Sequence, residues 1–239
     1  MDIKVIASGS AGNCYLITDS LGNKLLLECG ITFSRLLKSV GFDLKSIQGC
    51  LVTHEHKDHS KAILDLLKYG VQVYCSEGTA RACGVLGHHN LVICEHKQPI
   101  TVANRLEVWP LNAEHDAAEP LMFVLQNYGT GEKLLFATDT YYIRYKFPAG
   151  LTHVMIECNY DMDILNENIH EGLVDMGRRS RILRSHMNID TCREFFKANA
   201  PFFKGLRKIL LIHLSNDNSN VADFIADIEK ITGVPVDVI

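Results

Sequence analysis

The sequence predicts an α/β fold in which two β-sheets pack together with helices outside. Three observations carry that expectation. Short strand-like and helical stretches alternate through the first third of the chain. An almost unbroken run of strands then extends from Leu91 to Asp139, and helical patterns return in the last third around one more strand. With 239 residues, 47% apolar and 22% charged, the chain has the length and composition of one large globular domain with a buried core. No linker, repeat or low-complexity stretch interrupts it, so residues 1–239 are read as a single domain.

Taken in order, Asp2–Ala7, Cys14–Thr18 and Lys24–Cys29 read as strands joined by glycine-bearing turns, Gly22-Asn23 being of the hairpin type. Thr32–Val40 reads as a helix ended by Gly41. The apolar run from Cys50 to Thr53 is extended. Ser60–Tyr69 places Ala62, Ile63, Leu66 and Leu67 on one helical face, and Gly70 stops it. Val71–Cys75 is a strand and Glu77–Leu86 a helix. The strand run follows as Leu91–Cys94, Ile100–Ala103, Leu106–Leu111, Leu121–Asn127, Lys133–Thr138 and then Val154–Glu157. Helices at Ile189–Asn199 and Val221–Ile231 flank the strand Lys208–Ile212.

Composition narrows the setting. A net charge of -4 argues against a broad basic face for nucleic acid, though not against a local basic patch. No apolar run approaches the roughly 20 residues that span a bilayer, and Met1-Asp2-Ile3-Lys4-Val5 enters a strand pattern directly, so neither membrane association nor a secretory signal is expected. Of the eight cysteines, Cys14, Cys29, Cys50, Cys75, Cys94 and Cys158 sit in or beside apolar strands, without a Cys-x-x-Cys pair. They read as buried, reduced thiols of a cytoplasmic protein rather than as a disulfide framework.

The stretch Thr53-His54-Glu55-His56-Lys57-Asp58-His59 carries the chemistry. Imidazole and carboxylate are the donors that borderline divalent metals prefer. In an extended segment side chains two apart point the same way, so His54 and His56 can grip one metal. Asp58 and His59 come where the chain turns into a helix and can face a second. Further donors stand at strand ends. Asp139 ends Lys133–Thr138, His213 ends Lys208–Ile212, and His115 follows Leu106–Leu111. His88, His89 and His96 compete with His115, while His153 and His170 read as ordinary surface or core histidines.

With its His-x-His-x-Asp-His signature followed by those three donors, the chain resembles the metallo-β-lactamase superfamily of metal-dependent hydrolases. The resemblance implies an αββα sandwich of two mixed sheets. It also implies a dinuclear site, with one metal on His54, His56 and His115, a second on Asp58, His59 and His213, and Asp139 bridging. Zinc is the expected ion, manganese and iron being accepted by the same donors. The stretches between His59 and His115 and between Asp139 and His213 are too short for an inserted β-CASP domain, and a projecting arm like that of tRNase Z is not expected.

Within the superfamily, Ser8-Gly9-Ser10-Ala11-Gly12-Asn13-Cys14 is similar to the opening of the small YycJ/WalJ-type proteins. So are Glu157-Cys158-Asn159-Tyr160-Asp161, Ser185-His186-Met187-Asn188 and the run from His213 to Ser219. This likeness implies a phosphodiesterase or nuclease, with DNA or RNA as substrate. Asp58 and His186 are the catalytic candidates, the imidazole of His186 suiting proton donation near neutrality. A plain helix-start histidine is the alternative. Arg181 and Arg184, in a cluster with Arg178 and Arg179, are candidates to hold substrate phosphate; a solvated arginine stretch is the alternative. Where the family carries an aspartate after its early strand, Leu25-Leu26-Leu27 here precedes Glu28, expected to support the ligand loop rather than bind metal. Two other functions stay open: a thioester or lactone hydrolase using the same metals, and a metal-binding regulatory subunit without turnover.

Overall fold

The computed structural model describes residues 1–102 and 106–239, so the expected strand Ile100–Ala103 reaches beyond the described residues at Ala103. Contacts divide the chain into two compact units: Met1–Asn112 with Ala117–Glu132, and Ala113–Asp116 with Lys133–Ile239.

The first unit holds a six-stranded sheet whose spatial order follows the chain: β1 (Asp2–Ala7), β2 (Cys14–Thr18), β3 (Lys24–Leu27), β4 (Ile47–Leu51), β5 (Val73–Cys75) and β6 (Leu91–Ile93). Tight turns make β1, β2 and β3 antiparallel, whereas β3 to β6 are parallel. Parallel neighbours need a crossover. Here the crossovers are α1 (Phe33–Ser39), then α2 (Lys57–Ser60) with α3 (Ile63–Lys68), then α4 (Glu77–Ala82). Leu26, Cys50 and Val73 from the strands, and Val52 just after β4, pack with Leu36, Leu66 and Leu67 from the helices in one buried cluster. The unit also contains the antiparallel run β7 (Ile100–Val102), β8 (Leu106–Asn112) and β9 (Leu121–Asn127).

In the second unit β10 (Lys133–Ala137), β11 (His153–Glu157), β12 (Lys208–Ile212) and β13 (Val236–Val238) run parallel. Val154, Met155, Ile156, Leu210, Leu211 and Ile212 are all buried, the continuous apolar pattern of a sheet covered on both faces. Four helices accompany them: α5 (Met162–His170), α6 (Met176–Ser185), α7 (Ile189–Asn199) and α8 (Val221–Thr232). Asp161, Asp175, Asn188 and Asn220 cap these helices by accepting first-turn amides. Each cap is worth about 1 kcal/mol.

Several expected elements change shape for identifiable reasons. The single helix expected over Ser60–Tyr69 is two pieces, because the Ala62 amide donates to the Cys29 carbonyl, 2.9 Å away, instead of continuing the helix. Glu77–Leu86 stops at Ala82, where Gly84 takes a φ of 68°. Lys24–Cys29 ends at Leu27, since Glu28 has a φ of 63°. Helices α5 and α6 and strand β13 are elements that the sequence pattern does not predict. Helix α6 carries so many arginines that its apolar stripe is short, only Ile182 being a buried aliphatic residue.

Candidate metal centre

In the first unit the loop that carries the candidate donors leaves β4 and enters α2 at His56, its N-cap residue. His54 and His59 are buried. Thr53 Oγ1 lies 2.9 Å from His54 Nδ1, and His54 Nε2 lies 3.1 Å from His56 Nδ1. Two imidazole nitrogens that close share either a proton or a cation. The His59 ring lies tilted against His54, with ring centroids 4.2 Å apart, and its Nε2 is 3.4 Å from Asp58 Oδ2. The loop thus gathers His54, His56, Asp58 and His59.

Backbone contacts hold this loop. The Asn13 amide donates to the Asp58 carbonyl at 2.7 Å, and the Cys29 amide to the His59 carbonyl at 2.9 Å. The Asn13 side-chain amide reaches the same Asp58 carbonyl and lies 3.1 Å from His59 Nε2, while its carbonyl oxygen accepts from Gly9. That is the physical content of the glycine-rich opening. Gly30 comes so near that a Cβ there would lie 1.6 Å from the Asp58 carbonyl oxygen. Glu28 lies fully buried behind the loop, accepting from the Thr53 amide at 3.2 Å and facing His59 Nδ1 at 3.7 Å. Burial pushes its carboxyl up, against the opposing pull of His59 and Thr53.

In the second unit His115, Asp139, His186 and His213 come together, with a residue that sequence reasoning gave no role, Glu157. The two oxygens of Asp139 diverge: Oδ1 is 3.5 Å from His213 Nδ1 and Oδ2 is 3.6 Å from His115 Nε2. His115 Nδ1 lies 2.9 Å from the Ser185 carbonyl, which can only accept, so Nε2 is the nitrogen with the lone pair. Burial lowers the pKa of His115, against Asp139, which raises it. Glu157 ends β11 with no exposure at all. Its Oε1 lies 2.6 Å from His186 Nδ1 and 3.2 Å from His213 Nδ1, and its Oε2 accepts from the amides of Thr140 at 2.9 Å and Met187 at 3.3 Å. Burial pushes the Glu157 carboxyl up, but His186 and His213 overcome it and hold the group below its ordinary range. Burial likewise pulls His186 down, and Glu157 outweighs it, so the imidazole is raised. The His186 ring stacks on His213 with centroids 5.3 Å apart.

The motifs of the last third meet in one hydrogen-bonded knot. The Asn159 amide donates to Met187, that of Ile189 to Tyr160, that of Ser215 to Asn159 and that of Asp161 to Asn218. The Asn159 side chain donates to the His213 carbonyl at 2.7 Å. Arg181 and Arg184 are exposed on α6, Arg184 Nε donating to the Ser180 carbonyl of its own helix. Arg178 pairs with Asp217 and Arg179 with Asn166. Of the other histidines, His153 is buried in β11 and His170 is exposed. His88, His89 and His96 join no metal-competent group among the described residues.

Residues 23–213 match the family described as the beta-lactamase superfamily domain. The chain belongs to that superfamily. It is 32% identical over 179 residues to the exodeoxyribonuclease YycJ of Bacillus anthracis, a match covering 69% of this chain and 65%, just under two thirds, of that relative. It is 26% identical over 235 residues to the exodeoxyribonuclease WalJ of Streptococcus pneumoniae serotype 2, covering 90% of this chain and 82% of that protein. The crystal structure of the metallo-beta-lactamase fold protein YhfI from Bacillus subtilis superposes with a TM-score of 0.73 over 99% of this chain and 95% of that one, at 19% identity. That likeness shows the fold, two mixed β-sheets with helices. The chain is therefore a metallo-β-lactamase-fold hydrolase carrying a candidate His/Asp metal site, and its imidazole and carboxylate donors suit divalent ions. No helix among the described residues is long and apolar enough to cross a membrane.

Proposed function

We propose that this chain hydrolyses phosphodiester bonds of DNA, with two divalent ions, zinc in the first place, on His54, His56, Asp58, His59, His115, Asp139 and His213. The observation that carries the reading is Asp139, whose two oxygens address two different histidines, as a bridging carboxylate must. When bound, such a pair of ions lowers the pKa of water and offsets charge on phosphate oxygens. The relatives named exodeoxyribonuclease favour DNA among phosphodiesters. Free thiols, buried at every cysteine but Cys83, fit a cytoplasmic location.

His186 supplies the proton chemistry. Its Nδ1 is engaged by Glu157, so Nε2 is the atom left to work. The pull of Glu157 raises the imidazole and favours its protonated form, which can donate a proton to the leaving oxygen or grip a phosphate oxygen. Arg181 and Arg184 would hold phosphates farther along the strand, as exposed guanidinium groups do.

The test is a substrate panel on metal-loaded protein: single-stranded and duplex DNA, RNA, a thioester and a lactone, with metal content measured in parallel. DNA cleavage dependent on two ions per chain is expected. His186→Ala should keep the metal content and lower DNA turnover by roughly 10²–10⁴-fold, the range of general acid catalysis. Turnover confined to the thioester or lactone would overturn the reading.

A further inference from the structure

Directly after Asp139 the chain runs through Thr140-Tyr141-Tyr142-Ile143-Arg144-Tyr145-Lys146, which absorbs three of the eight tyrosines of the whole chain in five positions. The segment has no regular secondary structure, yet it is pinned at many points. The Thr140 amide donates to Glu157, the Tyr141 amide donates to the Glu114 carbonyl at 3.0 Å, and Thr140 Oγ1 donates to the Tyr142 carbonyl at 2.9 Å. Ile143 and Phe147 are buried, and the Phe147 amide donates to Asn199 Oδ1 on α7 at 2.9 Å. Between these anchors Tyr141 and Tyr142 are exposed by 39% and 46%. Arg144 is exposed too, its Nε 2.5 Å from Glu114 Oε1, and Lys146 lies beyond it. Tyr142, Arg144 and Lys146 line one side of a cleft of about 200 Å³, and Thr191, Glu194 and Ala198 of α7 line the other.

Exposed aromatic rings interleaved with cations are the means by which proteins hold single-stranded nucleic acid, because unpaired bases stack on rings while cations follow the phosphates. A duplex cannot use such a strap, since its bases are already stacked. Glu114 pairs with Arg144 and Glu194 adds a second acid to the cleft wall, so the rings carry more of the argument than the charge. The cleft is smaller than the about 300–1,000 Å³ that encloses a drug-sized ligand, a size that suits a single planar ring. The pinned backbone lowers the ordering cost of binding to that of the side chains themselves.

We infer that residues 141–146 are the single-strand platform of this hydrolase. Tyr141 and Tyr142 stack successive bases of DNA next to Asp139, one base enters the cleft against α7, and Lys146 holds an adjoining phosphate, while Arg144 stays paired with Glu114. This rests on the phosphodiesterase reading above and names the form of the substrate.

The experiment measures binding without turnover, by fluorescence anisotropy of a phosphorothioate-linked oligo-dT on the metal-loaded protein. Tyr142→Ala should raise Kd about 5- to 150-fold, the value of one lost base stack, and Tyr142→Phe, which keeps the ring, should stay within about threefold of wild type. Lys146→Ala should reduce the slope of log Kd against log salt by about 0.7, one single-strand phosphate. Far-UV circular dichroism and metal content check that each variant is folded. The inference is overturned if folded Tyr142→Ala binds as wild type does, if wild type binds duplex as tightly as the single strand, or if it binds neither. DNA cleavage by wild type combined with unaltered binding by the tyrosine variants would sink this inference and leave the phosphodiesterase reading standing. Absence of cleavage of any phosphodiester would sink that reading instead.

Discussion

Glu28 in the first unit and Glu157 in the second are both fully buried acids set behind histidines, yet burial wins at one and charge at the other. The difference lies in partners. Glu28 receives one amide, from Thr53, and its nearest imidazole nitrogen is 3.7 Å away. Glu157 receives two amides and lies within hydrogen-bond distance of two imidazoles, the nearer at 2.6 Å. The first unit fixes its ligand loop by main-chain contact, with Asn13, Cys29 and Gly30 against Asp58 and His59. The second unit collects residues from distant parts of the chain, and a buried carboxylate organises them.

The comparison breaks most visibly at Gly30. Gly30→Ala would force a methyl into the Asp58 carbonyl, where neither backbone can yield, so a loss of about 4 kcal/mol or more is expected. Urea unfolding within 1 kcal/mol of wild type would show that main-chain contact does not fix the loop.

Next in size is the loss of metal. Asp139→Ala should bring the chain from about two ions to fewer than one, whereas His54→Ala should lose about one. Elemental analysis decides; equal losses in the two variants would remove the bridging role of Asp139.

The two acids give a smaller, signed contrast in metal-stripped protein. Because the Glu157 carboxyl is held down, its stabilisation is present above the ordinary value of 4.5 and is lost as pH falls through the folded pKa. Because His186 is raised, its stabilisation is complete below 6.5 and is lost as pH rises through its folded pKa. The pair therefore contributes most between those limits, and Glu157→Gln should cost about 2 kcal/mol near pH 5.5. Glu28 is raised, so its cost appears above 4.5, and Glu28→Gln should leave stability at pH 7 unchanged or improved. Equal destabilisation by both substitutions across pH would erase the contrast.

The smallest effect belongs to the outer face of α6. Arg181→Ala with Arg184→Ala should raise KM for DNA a few-fold and flatten its salt dependence by about 0.7 per lost phosphate contact. A KM and salt slope matching wild type would return both arginines to plain solvated side chains.

What the sequence made legible follows the same division. The loop from His54 to His59 is contiguous, so its donors announce themselves by spacing, and the strands around it are apolar and regular. His115, Asp139 and His213 are legible as candidate donors because each follows a strand, although His88, His89 and His96 compete with His115 on sequence alone. Glu157 also ends an apolar strand, Val154-Met155-Ile156, but a lone acid there looks like any strand terminus, and its partners come from residues 140, 186, 187 and 213. Asn13 was hidden for the same reason, since its bond to the ligand loop spans 45 positions. Helices α5 and α6 escaped because caps and tertiary packing, rather than a long apolar stripe, define them.

Glu28, Asp139 and His213 are three of the five non-glycine residues with positive φ among the described residues. A left-handed backbone costs such side chains roughly 1–3 kcal/mol each. Glycine would relax all three turns and would also delete a carboxylate or an imidazole each time. A thermostabilisation campaign guided by backbone preference alone would thus converge on the very positions where sturdiness and chemistry compete, and its most heat-resistant products would be its least useful catalysts.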